Sequence, residues 1–430
     1  MSLTETTAIE VADLDNPLQP TYWAQPQSVI EEKLAALRAR PLTKFPERPQ
    51  TIQNPDDPAL ALLGSGAFVV TRLADILHMS RHAEVWSSAA GITTLDAPPE
   101  FNEFFGSMIA MDDPRHARLR KIVSAGFTPR MLAKLEDGVT DQARGIVAEI
   151  RETGKVDFVV DVAAKLPLKI VCDLMAIPES QLGFVFEQTN TILGISDPEY
   201  APPEGTDTLT ALLMAGGALA ELMKDVAKTK EGVESDDLTS MLVNAEVDGE
   251  RLTDAEIASF FVLLVVAGNE TTRNAIGWGL TYLTDNPDQR DLWLSDFERY
   301  AGTAVEEIVR LASPVTYMRR TALVDTELAG TPIAAGEKVA MNYLAANRDE
   351  DVFADPYRFD ITRDPNPHVG FGGPGPHFCL GAHLARREIT VMYRELFDVL
   401  PDIHATSAPD VLAASFIHGV KHLDAEFTPA

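Results

Sequence analysis

Twelve consecutive residues from Ile257 to Gly268 (IASFFVLLVVAG) carry no charge and show no polar face. A helix that is apolar all round has to be buried on every side. A bilayer-spanning helix needs ~20 such residues, so this run is too short to cross a membrane and predicts the centre of a large folded core. Thr253, followed by Asp254 and Glu256, supplies an N-cap and an acidic first turn for that helix. With 430 residues, 45% of them apolar, there is enough chain to surround it.

Helical periodicity dominates the middle of the chain, over residues 114–126, 129–152, 160–175, 180–194, 209–229, 253–284 and 301–312. Residues 1–66 are rich in proline and acid and hold one short amphipathic helix, Ser28–Arg38. Ala67–Thr71 reads as a strand. Residues 89–111 have no clean period and read as a long irregular connection of the functional kind. After Pro314 the texture changes to short β-like pieces (Thr321–Leu328, Lys338–Tyr343), a long coil over 347–376, a helix from Leu380 to Leu396 and a β-like tail. Length alone suggests about two to three domains. Helices first and small sheets late, without β–α alternation, argue instead for one mainly α domain with small β-sheets (α+β) over 67–430, with 1–66 as an N-terminal extension packed on it.

Acidic residues outnumber basic ones, 65 to 36, for a net charge of −29. That surface repels phosphate backbones and anionic membranes, so no nucleic acid is expected as a partner. The first twenty residues carry acids where a secretory signal has a basic stretch and an apolar run, and no membrane span is expected. Two cysteines, Cys172 and Cys379, exclude a disulfide framework and a thiolate zinc cluster, and suit a reducing cytoplasm. Cys172, in the apolar LKIVCDLMA, reads as a core thiol.

Cys379 stands in Gly370-Phe371-Gly372-Gly373-Pro374-Gly375-Pro376-His377-Phe378-Cys379-Leu380-Gly381. Gly370, Gly372 and Gly375 formally spell a dinucleotide fingerprint. Such a fingerprint follows a strand, and Asn366-Pro367-His368 reads as coil. What remains is an open loop that delivers a cysteine to the start of a helix, where partial positive charge stabilises a thiolate. Packing of a core thiol does not call for so many glycines.

This loop, with Ala382 and Leu384-Ala385-Arg386-Arg387-Glu388 after it, resembles the haem-binding loop of the cytochrome P-450 superfamily. One feature departs: the family places its aromatic seven residues before the cysteine, and Phe371 stands eight before, a one-residue enlargement. Three more motifs carry the resemblance, in the family's order. Ala267-Gly268-Asn269-Glu270-Thr271-Thr272 puts an ionisable residue in the apolar helix, which is costly without a partner; taken alone it could be a kink satisfied by threonine back-bonding. Glu307-Ile308-Val309-Arg310 places opposite charges at i and i+3, which taken alone could be a surface ion pair. His116-Ala117-Arg118-Leu119-Arg120 puts His116 and Arg120 on one helix face.

The resemblance covers about residue 65 to the end. It implies the P-450 fold, a single domain with haem b (iron protoporphyrin IX) buried between two central helices, and a haem-thiolate monooxygenase. Cys379 would be the axial iron ligand, and Phe371, Gly381 and Ala267 would line the haem. Gly268 would leave room for dioxygen, and Glu270 and Thr271 would relay protons. His116, Arg120, Arg320 and His377 would serve the propionates. Glu307 and Arg310 would lock onto Arg358 of Pro356-Tyr357-Arg358-Phe359. Substrate would meet Ile109, Leu263, Ala267, Val315 and Phe416, although Phe416 and Ile417 read equally well as core. These walls are apolar and suit a hydrophobic small molecule; SMIAMDDPRH, VVAGNETTRN and NPHVGFGGPGPHFCLGAHLARRE look most like members acting on methyl-branched lipids, isoprenoids or sterols.

Electrons would come from an external ferredoxin and an NAD(P)H-dependent reductase, since no flavin domain fits in the 51 residues after Cys379. Arg118, Lys121, Arg386 and Arg387 are candidates for docking it, or are scattered solubilising charges. The protein would act as a monomer. A haem-thiolate sensor would share the cysteine loop without needing Glu270–Thr271, and a peroxide-driven oxygenase would replace that pair.

Overall fold

A computed structural model of the protein describes residues 6–50, 56–126, 129–246, 249 and 251–430. Its axis is the helix Asp254–Asp285, about 48 Å long at 1.5 Å per residue. The expected cap is present as a reciprocal box: Thr253 Oγ1 accepts from the Glu256 N–H at 3.2 Å, and Glu256 Oε2 accepts from the Thr253 N–H at 2.9 Å. By length and composition this helix could cross a bilayer, but most of its apolar stretch is buried inside the protein. Helices Lys165–Leu174, Thr208–Lys230, Phe297–Ala312 and Pro99–Gly106 pack around it. Cys172 is fully buried among them, and burial pushes its thiol up to about 12.

The main sheet joins distant parts of the chain. Its strands run in the order Thr43–Phe45, Ala67–Val70, Lys338–Asn342, Tyr317–Ala322, Trp86–Ser87. Ala67–Val70 and Lys338–Asn342 are parallel, with Phe68 opposite Val339 and Val70 opposite Met341. Thr43–Phe45 lies in the first 66 residues, so that segment forms an edge of the sheet. It is held by two buried charge pairs, Lys44 with Glu337 at 2.7 Å and Glu47 with Lys338. Arg38 reaches the Ala345 carbonyl at 3.0 Å.

Several boundaries differ from the sequence pattern. Residues 89–111 are not wholly irregular; they contain the helix Pro99–Gly106 and a 3-10 turn, Ser107–Ala110. Pro99 takes the first helical position, where its missing N–H costs nothing, and Phe104 and Phe105 pack over Gly216, where a Cβ would come within 2.7 and 2.8 Å of their rings. The stretch expected as one strand from Thr321 to Leu328 is two, Tyr317–Ala322 and Thr326–Leu328, broken by the exposed Leu323 and Val324. The helix expected at 301 starts at Phe297, capped by Asp296, whose carboxylate accepts from the Arg299 N–H.

Candidate active site

The loop that presents Cys379 is wedged between two helices. A Cβ on Gly370 would lie 2.6 Å from Val309 Cγ1, and one on Gly373 would lie 2.5 Å from Ser80 Oγ. Gly375, at φ +155°, lies against the Ser80 backbone, and Gly372 takes φ +82°. Close packing therefore does call for these glycines, contrary to the expectation from sequence. The enlarged turn is closed by the Cys379 N–H, which donates to the Phe371 carbonyl at 3.0 Å. The helix itself begins at Ala382, with Gly381 as its cap residue. Cys379 is accessible, whereas Cys172 is not. Protein crowding around the thiol raises its pKa, while the Gly381 N–H and the charges of Arg120 and Arg386 favour the thiolate.

Four cationic or donor side chains meet beside it. The rings of His116 and His377 stand 4.3 Å apart. Arg120 donates to the Phe378 carbonyl at 2.6 Å, and the buried Arg320 donates to the Arg319 carbonyl at 2.8 Å. His377 is pushed down to about 2 by burial and then by the charges of Arg320, His116 and Arg120, so it is neutral at physiological pH. Ser88, which no sequence signal marked, holds His377 Nε2 at 3.2 Å. His116 Nε2 and His377 Nδ1 are buried with no partner among the described residues. The charges of the buried Arg320 and the half-buried Arg120, with two orphaned ring nitrogens, fit the carboxylates of an anionic group. An accessible sulfur in the turn just ahead of the helix that begins at Ala382 fits the iron that haem would bring.

On the central helix, Ala267 is exposed and Thr271 half-buried in a segment otherwise packed inside protein, while Leu263 is buried. Thr271 Oγ1 donates to the Ala267 carbonyl at 2.8 Å. Glu270 does not bond to Thr271. Its carboxylate is taken by Arg273, three residues on, which also holds Asn190 Oδ1 at 3.0 Å from the helix Leu182–Gly194. Burial pushes Glu270 up, against the pull of Arg273. The demand of a buried carboxylate for a cation at i+3 was readable in NETTRN; Asn190 was not. Gly268 also corrects the expectation: the space at its missing Cβ is filled by Val171 Cγ2 at 2.8 Å, so glycine there lets two helices pack closely.

The Glu307–Arg310 pair is fully buried and bidentate, with both bonds at 2.8 Å. Arg310 also donates to the carbonyls of Asn347, Pro356 and Arg358. The third member is not the side chain of Arg358, which is exposed and contributes only its carbonyl. Arg363 takes that place, its Nε 3.2 and 3.3 Å from the two Glu307 oxygens. A turn capped by Asp360, whose carboxylate accepts from Thr362, folds Arg363 back onto Glu307.

The expected substrate walls fall into two apolar groups. Ile109 and Leu263 join Phe104, Phe105 and Leu119. Val315 and Phe416 join Ile417, Leu412, Leu193 and Tyr200. Of the expected docking cations, Arg118 is engaged by Glu256 at 2.8 Å and by the Arg251 carbonyl, and Arg386 by Glu306. Both serve internal contacts.

A family model described as Cytochrome P450 matches residues 212–291 and 299–398. A methyl-branched lipid omega-hydroxylase of Mycobacterium tuberculosis is 48% identical over 96% of this chain and 94% of its own. A steroid C26-monooxygenase of the same species is 40% identical over 84% of this chain and 83% of its own. A solved Mycobacterium marinum cytochrome P450 in complex with pseudoionone is 43% identical, covers 99% of this chain and all of its own, and superposes with a TM-score of 0.88.

Proposed function

This chain belongs to the cytochrome P450 family and is a haem-thiolate monooxygenase, and from that membership we propose that it hydroxylates a methyl-branched lipid or sterol-like substrate with Cys379 as the iron ligand. One observation carries the site assignment. The accessible sulfur shares a loop with His377, whose orphaned nitrogen lies with that of His116 beside the positive charges of Arg120 and Arg320, in a cluster that calls for an anionic partner.

Bound haem supplies dioxygen activation, with one oxygen atom entering a C–H bond and the other leaving as water. The residues around it have separate tasks. His116, Arg120, Arg320 and His377 hold the propionates by charge-assisted hydrogen bonds. Gly381 gives its N–H to the sulfur. Thr271 would hold a hydroxyl proton on the strip that includes Ala267, and Glu270, held by Arg273 through one oxygen and with Oε1 buried and without a partner among the described residues, would pass protons toward it as an acid–base group. The presence of this pair favours the dioxygen-dependent reading over a sensor or a peroxide-driven enzyme. Ile109 and Leu263 on one side and Val315 and Phe416 on the other exclude water and orient an apolar chain.

The names of the similar hydroxylases, together with these apolar walls, support a branched lipid or sterol side chain as substrate. We assign electron supply to an external ferredoxin and its NAD(P)H-dependent reductase. The test has two arms. Reduced protein exposed to carbon monoxide should show the strongly red-shifted band of a thiolate adduct, and Cys379→Ala should lose it. Branched fatty acids, isoprenoids and sterols should then be screened for the low-to-high-spin shift that follows displacement of iron-bound water, with straight-chain lipids as the contrast. A shift with straight chains alone would reject the substrate class.

A further inference from the structure

Beneath the cysteine loop three side chains converge from three segments. His368 stands at the mouth of the loop, Glu306 precedes Glu307 on the helix Phe297–Ala312, and Arg386 lies on the helix Ala382–Val399. The Gly370 N–H can only donate, so His368 Nδ1, 3.0 Å away, accepts; the ring proton is then on Nε2, which donates to Glu306 Oε2 at 2.8 Å. Glu306 is also gripped by Arg386 through two nitrogens, Nη2 lying 3.0 Å from Oε2. Burial opposes its charge, but the hydrogen bonds of His368 and Arg386 prevail and hold the carboxyl at about 2. The Arg386 guanidinium in turn lies over the Phe371 ring, 4.2 Å from its centre. The Phe371 carbonyl accepts the Cys379 N–H. A continuous path therefore runs from Glu306 through Arg386 and Phe371 to the backbone of Cys379.

Resting on Cys379 as the iron ligand, we propose that Glu306, Arg386 and His368 are positioning residues, a clamp that fixes Phe371 and with it the amide of Cys379. The enlarged turn needs such a hold. An extra residue between aromatic and cysteine gives the loop more conformations, and the ring is pinned from outside by a stacked, ion-paired arginine. The same guanidinium is a fixed positive charge near the sulfur and tempers the electron density that the thiolate gives to iron.

The experiment uses pigmented, purified protein. It reads the fraction of the reduced carbon monoxide adduct that keeps the red-shifted thiolate band, and the midpoint potential of that fraction. Arg386→Gln and Glu306→Gln should each cut the thiolate fraction at least twofold under mild urea. Their potentials should move in opposite directions, more negative when the cation is removed and more positive when the anion is removed. Arg386→Lys should keep the potential of the parent but not its resistance to urea, because it retains charge without the planar stack. His368→Phe should lower the thiolate fraction without a comparable change in potential. Arg394→Gln, which removes an ion pair to Glu298 farther along the same helix, is the control and should change neither. Parent-like bands in both Arg386→Gln and Glu306→Gln would overturn the clamp, and potentials moving the same way would overturn the tuning. Absence of the red-shifted band from the parent protein would instead overturn the ligand assignment beneath both.

Discussion

Replacing Arg363 by alanine should cost far more stability than replacing Arg358, although the family pattern points to Arg358. Arg363 Nε contacts both oxygens of Glu307, a residue with no exposure, and its Nη1 donates to the Ala354 carbonyl at 2.9 Å. A hydrogen bond to a charged group contributes roughly 1.5–3 kcal/mol, and a buried charge that loses a partner keeps its desolvation penalty. Glu307 would still have Arg310, the Asp360 N–H and Asn366, so the loss stays below that of breaking the pair outright. We expect about 2–3 kcal/mol for Arg363→Ala, roughly a 30- to 150-fold fall in the folded ratio at 1.36 kcal/mol per decade. Arg358→Ala removes an exposed side chain and leaves its carbonyl on Arg310, so its effect should stay within about 0.5 kcal/mol. Urea titrations of the pigmented protein, following tryptophan fluorescence and the thiolate band together, would measure both. Equal effects, or a silent Arg363→Ala, would refute the reading of Glu307's partners.

Gly268→Ala should overpack the helix contact with Val171 and cost about 1–3 kcal/mol; Val171→Ala in that background should recover part of the loss, and strict additivity in the double mutant would contradict the contact. Thr271→Ala should leave carbon monoxide binding intact yet raise the ratio of NAD(P)H consumed to product formed, with surrogate ferredoxin and reductase; an unchanged ratio would count against a proton role for its hydroxyl. His422 lies between Asp157 and Glu199, whose hydrogen bonds raise its pKa against partial burial. Its stabilising contribution is therefore complete below the unfolded value near 6.5 and fades as pH rises through the raised folded value. His422→Gln should flatten stability across that alkaline side, and an unchanged pH profile would dispose of the effect.

Local features were legible in the sequence because their physics is local. The capping box at Thr253 and Glu256, the pair at Glu307 and Arg310, and the glycine-rich approach to Cys379 all depend on spacing within one or two turns. The same holds for the burial of the apolar central helix, which follows from its composition alone. Glu270 and Arg273 stand at the same i, i+3 spacing on one helix, so their pairing is local as well.

Tertiary structure decided the rest. Which of two arginines meets Glu307 depends on how a coil more than fifty residues away in sequence turns back. The role of Gly268 depends on Val171, and that of Gly373 and Gly375 on Ser80, each from a distant segment. Arg386 reads as a surface cation until Glu306 and Phe371 are placed beside it. In each case residue type fixes what a side chain can do, while the partner it does it with is set by long-range packing that no periodicity encodes.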